Sequence, residues 1–66
     1  MSMKKNHTIT LVLTSPKGRE VLKDFTYKDM HRCDAMAEVT KEMITYKSLG
    51  YKVYIGNHEE WESIWW

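Results

Sequence analysis

Between His7 and Thr14 the chain reads HTITLVLT, with Ile9, Leu11 and Leu13 alternating with Thr8, Thr10, Val12 and Thr14. Successive side chains of an extended chain point to opposite faces, so this stretch is a strand with one strongly apolar face. Threonine suits the other face. The SPKG that follows places proline second and glycine fourth, as a type I turn favours. The proline ring presets φ, and glycine tolerates the exit conformation. REVLKDFTY then resumes extended character, with Val21, Phe25 and Tyr27 on one side. Leu22 interrupts that alternation and marks either a bulge or a strand with two apolar sides. Residues 1–27 therefore read as a β-hairpin.

The middle of the chain carries a helical pattern. Asp29 is placed to cap its start by accepting from free backbone N–H groups. Asp34 and Glu38 fall in the first half, and Lys41 and Lys47 towards the end, as the helix dipole prefers. On a helical wheel Met30, Cys33, Met36, Ala37, Met43 and Ile44 form one broad stripe, with Asp34, Glu38, Lys41 and Glu42 opposite. Gly50 ends the helix in the left-handed conformation that other residues resist. After it YKVYI alternates again, so that Tyr51, Val53 and Ile55 face the helix while Lys52 and Tyr54 face away.

The last residues have two readings. As a helix, Asn57 caps, Glu60 takes the capping-box position, and Trp61, Ile64 and Trp65 share a face. As a strand, GNHE is a turn and WESIWW returns along the third strand, using bulky β-favouring residues. A nine-residue helix is marginal by itself, which favours the strand. The expected fold is thus α+β: one small domain over residues 1–66, in the order ββαββ, with the helix packed on one face of the sheet. Residues 1–6 are expected to be a flexible basic start.

Sixty-six residues make one domain, and a domain of that size buries only about 60% of the surface its unfolded chain exposes. Small scaffolds usually add disulfides, a metal, oligomerisation or dense packing. The single cysteine, Cys33, forms no intrachain disulfide, and an unpaired thiol points to a reducing, cytoplasmic setting. MSMKKNHTIT has the basic start of a signal peptide without the apolar segment behind it. The longest apolar runs, such as Leu11-Val12-Leu13, are three residues, far below the roughly 20 of a membrane helix, so no membrane association is expected.

The chemistry-bearing residues do not form a known motif. His31 and Cys33, two apart on the helix, point about 200° apart and cannot share an ion. No paired cysteine or histidine spacing announces zinc. Cys33 reads as a small core residue and His7, His31 and His58 as surface polar groups. His58 beside Glu59, Glu60 and Glu62 has the makings of an acid–base pair, but an acidic solvated edge is the commoner meaning of such a run. Gly18, Gly50 and Gly56 are scattered turn residues, not a phosphate cradle. No metal, cofactor or catalytic activity is expected.

Two binding functions compete. The net charge of +1 hides an asymmetry: residues 1–33 hold seven Lys/Arg against three Asp/Glu, a balance of +4, and residues 34–66 hold three against six, a balance of −3. Lys4, Lys5, Lys17 and Arg19, extended by Lys23 and Lys28, are candidates for phosphate contacts, with Tyr54 and the tryptophans as stacking platforms. The near-neutral total and the glutamates flanking the tryptophans oppose a nucleic-acid partner. A protein partner is the better expectation. All three tryptophans, Trp61, Trp65 and Trp66, fall within the last six positions, and in either conformation of that segment at least one stays largely exposed. Tryptophan and tyrosine dominate interface hot spots. The expected contact residues are Tyr54, Trp61, Trp65 and Trp66, with Glu59, Glu60 and Glu62 supplying charge complementarity.

The succession TITLVLTSPKGREVLKDFTYKDM, a helix starting near CDAMAEV, and a strand launched by LGYKVYI resembles small accessory proteins encoded by bacteriophages: antitoxins, inhibitors of host RNA polymerase and proteins that disarm bacterial defence. The resemblance spans residues 7–57, rests on layout and composition, and carries no member's functional residues onto this chain. It implies a non-enzymatic module that inhibits or modulates a larger bacterial host protein by stoichiometric binding in the host cytoplasm. Homodimer formation through the same tail or an exposed edge strand is compatible with it.

Overall fold

The computed structural model describes residues 4–62. They form β1 (Lys5–Thr14), β2 (Glu20–Met30), α1 (Arg32–Ser48) and β3 (Lys52–Trp61). The described residues thus make an α+β layout with one antiparallel sheet in the order β2-β1-β3. The most strongly alternating segment, β1, is the central strand, paired on both edges. The helix lies across the face that carries Ile9, Leu11 and Leu13, and these pack with Ala35, Val39 and Val53 into the buried core. Phe25, Tyr27, Met30, Met36, Met43, Tyr46 and Tyr51 close its margins.

The local punctuation follows from the residues present. In the first turn Gly18 N–H donates to the Ser15 carbonyl at 2.8 Å, and Gly18 takes φ +89°, which only glycine adopts freely. Helix α1 ends as expected at Gly50, φ +94°. Gly50 N–H donates to the Lys47 carbonyl and Tyr51 N–H to the Tyr46 carbonyl, the paired bonds of a Schellman motif. The Tyr46 and Tyr51 rings seal it edge to face, centroids 5.7 Å apart. Leu22 belongs to a two-sided strand: β2 keeps unbroken register with β1 from Glu20 to Tyr27, and the irregularity comes later.

Several expectations are corrected. Asp29 does not cap the helix. It sits inside β2 with φ +57°, its backbone N–H held by Asn6 Oδ1 at 3.1 Å, and His31 is the N-cap residue. Lys5 and Asn6, expected in a flexible start, are paired in β1, and Asn6 is buried. The buried stripe of α1 is also different. Ala35 and Val39 face the sheet, flanked by Met36, Met43 and Tyr46, whereas Cys33, Ala37 and Ile44 are exposed. The inward face is rotated about 100° from the expected stripe, equivalent to one residue step. Apolar side chains surround most of this helix, so periodicity singles out no face. The side with small Ala35 and Val39 lets the axis approach the sheet, and packing selects it.

The tail is corrected too. GNHE makes no turn. Strand β3 runs through it for ten residues to Trp61, so among the described residues the sheet has three strands and the expected fourth is not among them. Ile64, Trp65 and Trp66 lie outside the described residues.

Candidate functional site

Two bulges decide what each face of the sheet presents. Opposite Lys5 and His7, β2 carries Met30 and Tyr27, so Lys28 and Asp29 face the single residue Asn6. Opposite Thr10 and Leu11, β3 carries Asn57 and Ile55, leaving Gly56 as the extra residue. A bulge of one residue reverses the alternation beyond it. Ile55 faces the helix, and past Gly56 it is His58 and Glu60 that do so, while Asn57, Glu59 and Trp61 turn to the other side. A Cβ on Gly56 would lie 2.9 Å from Val12 Cγ2, so any other residue here forces Val12 or the bulge to shift.

On the helix-covered face the Gly56 bulge brings His58 and Glu60 beside His7 at the end of the sheet near the start of α1, where β2 supplies the Met30 carbonyl. His7 is almost fully buried, 1% exposed, the reverse of the surface position expected for it. Its Nε2 lies 2.9 Å from the Met30 carbonyl oxygen and its Nδ1 lies 3.1 Å from His58 Nε2. A carbonyl only accepts, so Nε2 carries the hydrogen and, in the neutral ring, Nδ1 is the lone-pair nitrogen. The two rings are tilted by 46° with centroids 5.3 Å apart. One ligand atom each from His7, His58 and Glu60 falls within 4.8 Å of the others. The exposed Arg32 guanidinium stands 3.6 Å from Glu60 Oε1.

Further along that face Lys23 Nζ donates to the Tyr46 hydroxyl at 2.6 Å. This bond, with the attraction of Tyr46 and a smaller one of Glu42, holds the Lys23 pKa above its ordinary value. Burial, and then Glu42 and Glu38, raise the Tyr27 phenol.

Among the described residues no helix covers the opposite face. Val12 stands between Leu22 on β2 and Tyr54 on β3 in one cross-strand row. Leu22 is 65% exposed and Tyr54 55% exposed. Trp61 lies on the same face two rows beyond the polar Asp24–Thr10–Asn57 row. Its indole N–H donates to Thr8 Oγ1 at 3.2 Å, and 40% of it remains exposed. Thr10 Oγ1 donates to Asp24 at 2.7 Å. Between the Thr14 and Thr8 rows this face carries Glu20, Asp24 and Glu59 against Lys52 alone.

Of the expected contact residues, Tyr54, Glu59 and Trp61 share the helix-free face. Glu60 points to the opposite face, Glu62 follows the end of β3 and is exposed, and Trp65 and Trp66 lie outside the described residues. The basic candidates do not converge. Lys17 and Arg19 sit in the β1–β2 loop, whereas Lys4 and Lys5 sit at the other end of β1, a strand about 30 Å long at roughly 3.3 Å per residue. Lys23 is engaged by Tyr46 on the helix face. Sequence reasoning missed Leu22 and Val12 as surface-forming residues and the His7–His58 pair. The signal for Leu22 was its break in the alternation. The histidine pair spans 51 positions, and no linear spacing announces it. No protein-family model, curated protein or solved structure matches this chain.

Proposed function

We propose that this chain is a non-enzymatic protein-binding module whose contact surface is the helix-free face of the sheet. The observation that carries this reading is the Leu22–Val12–Tyr54 row, apolar across all three strands with none of the described elements over it. A sheet of this kind normally buries one face and keeps polar residues on the other. Leaving Leu22 and Tyr54 in water is unfavourable, at about 25 cal/mol per Å² of apolar surface, and that free energy is recovered when a partner covers them. Trp61 extends the surface with an aromatic anchor whose N–H is already satisfied, and aromatic anchors of this type concentrate binding energy.

The charges around the row define the partner's chemistry. Glu20, Asp24 and Glu59 outnumber Lys52, which suits an apolar ridge bordered by Lys or Arg and repels a phosphate backbone. The separation of Lys4 and Lys5 from Lys17 and Arg19 also weakens the nucleic-acid alternative. The resemblance of the sequence layout to small phage accessory proteins makes a larger bacterial protein, inhibited or modulated by stoichiometric binding, the preferred partner.

The test is affinity capture from bacterial lysate with the full chain and with a Leu22→Ser/Tyr54→Ser variant, both with and without nuclease. One protein retained stoichiometrically by the wild type and lost by the variant, whose circular dichroism is unchanged, supports the assignment. Equal retention by both chains removes the helix-free face from consideration. Retention abolished by nuclease replaces the protein partner with a nucleic acid. A wild type that recovers only itself and runs as a dimer, by light scattering, makes self-association the use of this face.

A further inference from the structure

We propose that His7, His58 and Glu60 form a binding site for one divalent transition-metal ion of the zinc class, tying β1 to β3 at the end of the sheet next to the start of α1. The two imidazoles and one carboxylate belong to different faces of the linear pattern and reach one point only because the Gly56 bulge reverses the alternation of β3.

Three features of the geometry point to an ion and not merely to a histidine hydrogen bond. The first is orientation. His7 Nε2 donates to the Met30 carbonyl at 2.9 Å, an outer contact of the kind that fixes a metal-binding histidine in one tautomer and aims its other nitrogen at the ion. The second is spacing. Nitrogens about 2.05 Å from zinc and 3.1 Å from each other subtend close to 98°, so His7 Nδ1 and His58 Nε2 need to open only ~0.2–0.3 Å for an ideal tetrahedral angle. The third is the donor set. A buried imidazole, a half-buried imidazole and an exposed carboxylate form a neutral-nitrogen and oxygen site suited to zinc, cobalt, nickel or copper and poorly suited to calcium or magnesium.

Binding requires one rearrangement of hydrogens. Without an ion, His58 Nε2–H donates to the His7 Nδ1 lone pair. With an ion between them, His58 moves its hydrogen to Nδ1 and presents the Nε2 lone pair, so no net proton is released by the neutral rings. Glu60 turns from Arg32, a loose 3.6 Å ion pair on an exposed guanidinium, to the metal. Water completes the coordination. The ion is of particular value to a 66-residue chain without a disulfide, since small domains are commonly stabilised by such links.

The full chain, freed of metal with chelator, is titrated with zinc chloride by calorimetry and with cobalt(II) by visible absorption. Cys33→Ser serves as the control for thiol binding, and His58→Gln and Glu60→Gln are the test variants. Both test positions are less buried than His7, and Glu60 is exposed, so Glu60→Gln retains the fold. The expected result is one ion per chain, a tetrahedral-type cobalt spectrum unchanged in Cys33→Ser, and zinc affinity at least tenfold lower in each test variant. Saturating zinc should also raise the melting temperature of wild type and Cys33→Ser by about 5 °C or more, and of Glu60→Gln much less. Equal affinity in wild type and Glu60→Gln, loss of the site in Cys33→Ser, or no binding at all overturns the proposal.

Discussion

A methyl group placed on Gly56 meets Val12 Cγ2 at 2.9 Å and the Thr10 carbonyl oxygen at 3.6 Å. The first contact is closer than side chains tolerate, and Val12 is β-branched with little freedom at χ1. Gly56→Ala therefore forces either the valine from its rotamer or the bulge from its place, an overpacking that costs ~2 kcal/mol within a usual range of 1–3. The chain's whole stability is of the order of 3–10 kcal/mol for its length. At roughly 4–8 °C per kcal/mol for a domain of this size, thermal unfolding followed by circular dichroism should move down by about 8–16 °C. If the methyl–Val12 contact is the cause, Val12→Ala removes it. The double variant should then be more stable than the sum of the two single losses by at least ~1 kcal/mol. Strict additivity would refute the placement of Gly56 over Val12. With it would fall the reversal that sends His58 and Glu60 to one face and Trp61 to the other.

Three further outcomes test the remaining parts of the structure. Leu11→Ala, at a fully buried position in β1, should cost ~2–5 kcal/mol, whereas Leu22→Ala should stay within about 0.5 kcal/mol; parallel urea titrations that rank them the other way would put the helix on the wrong face. Gly50→Ala should lose ~1–2 kcal/mol from the left-handed conformation alone, with additional crowding at 3.1 Å from Pro16 Cγ; an unchanged melting temperature would contradict the Schellman ending. Stability should fall as pH rises beyond about 10, because Lys23 and Tyr27 both hold their protons more tightly folded than unfolded. Their contribution is complete below the unfolded pKa values and disappears as pH passes the folded ones. Tyr46→Phe, which removes the oxygen that Lys23 Nζ bonds, should flatten the alkaline slope measured by thermal melts, and an unchanged slope would remove Lys23 from the account.

Where the chain announces structure over a few residues, it does so because a local cause is sufficient. Ile9, Leu11 and Leu13 alternate, and a strand has period two. Pro16 and Gly18 preset the first turn, and Gly50 alone can take the left-handed exit from α1. These determine the hairpin, the helix end and the assignment of Val53 and Tyr54 to opposite faces. The candidate surfaces depend on causes that are not local. The face of α1 that is buried was settled by which side chains let it approach β1, since apolar residues surround most of the helix. The course of β3 through Gly56 was settled by pairing with β1: ladder hydrogen bonds along a central strand outweigh the turn preference of Gly-Asn, and glycine absorbs the extra residue as a bulge. That single insertion put Trp61 beside Thr8 and His58 beside His7, 51 positions away, a proximity that exists only once β1 and β3 share one register.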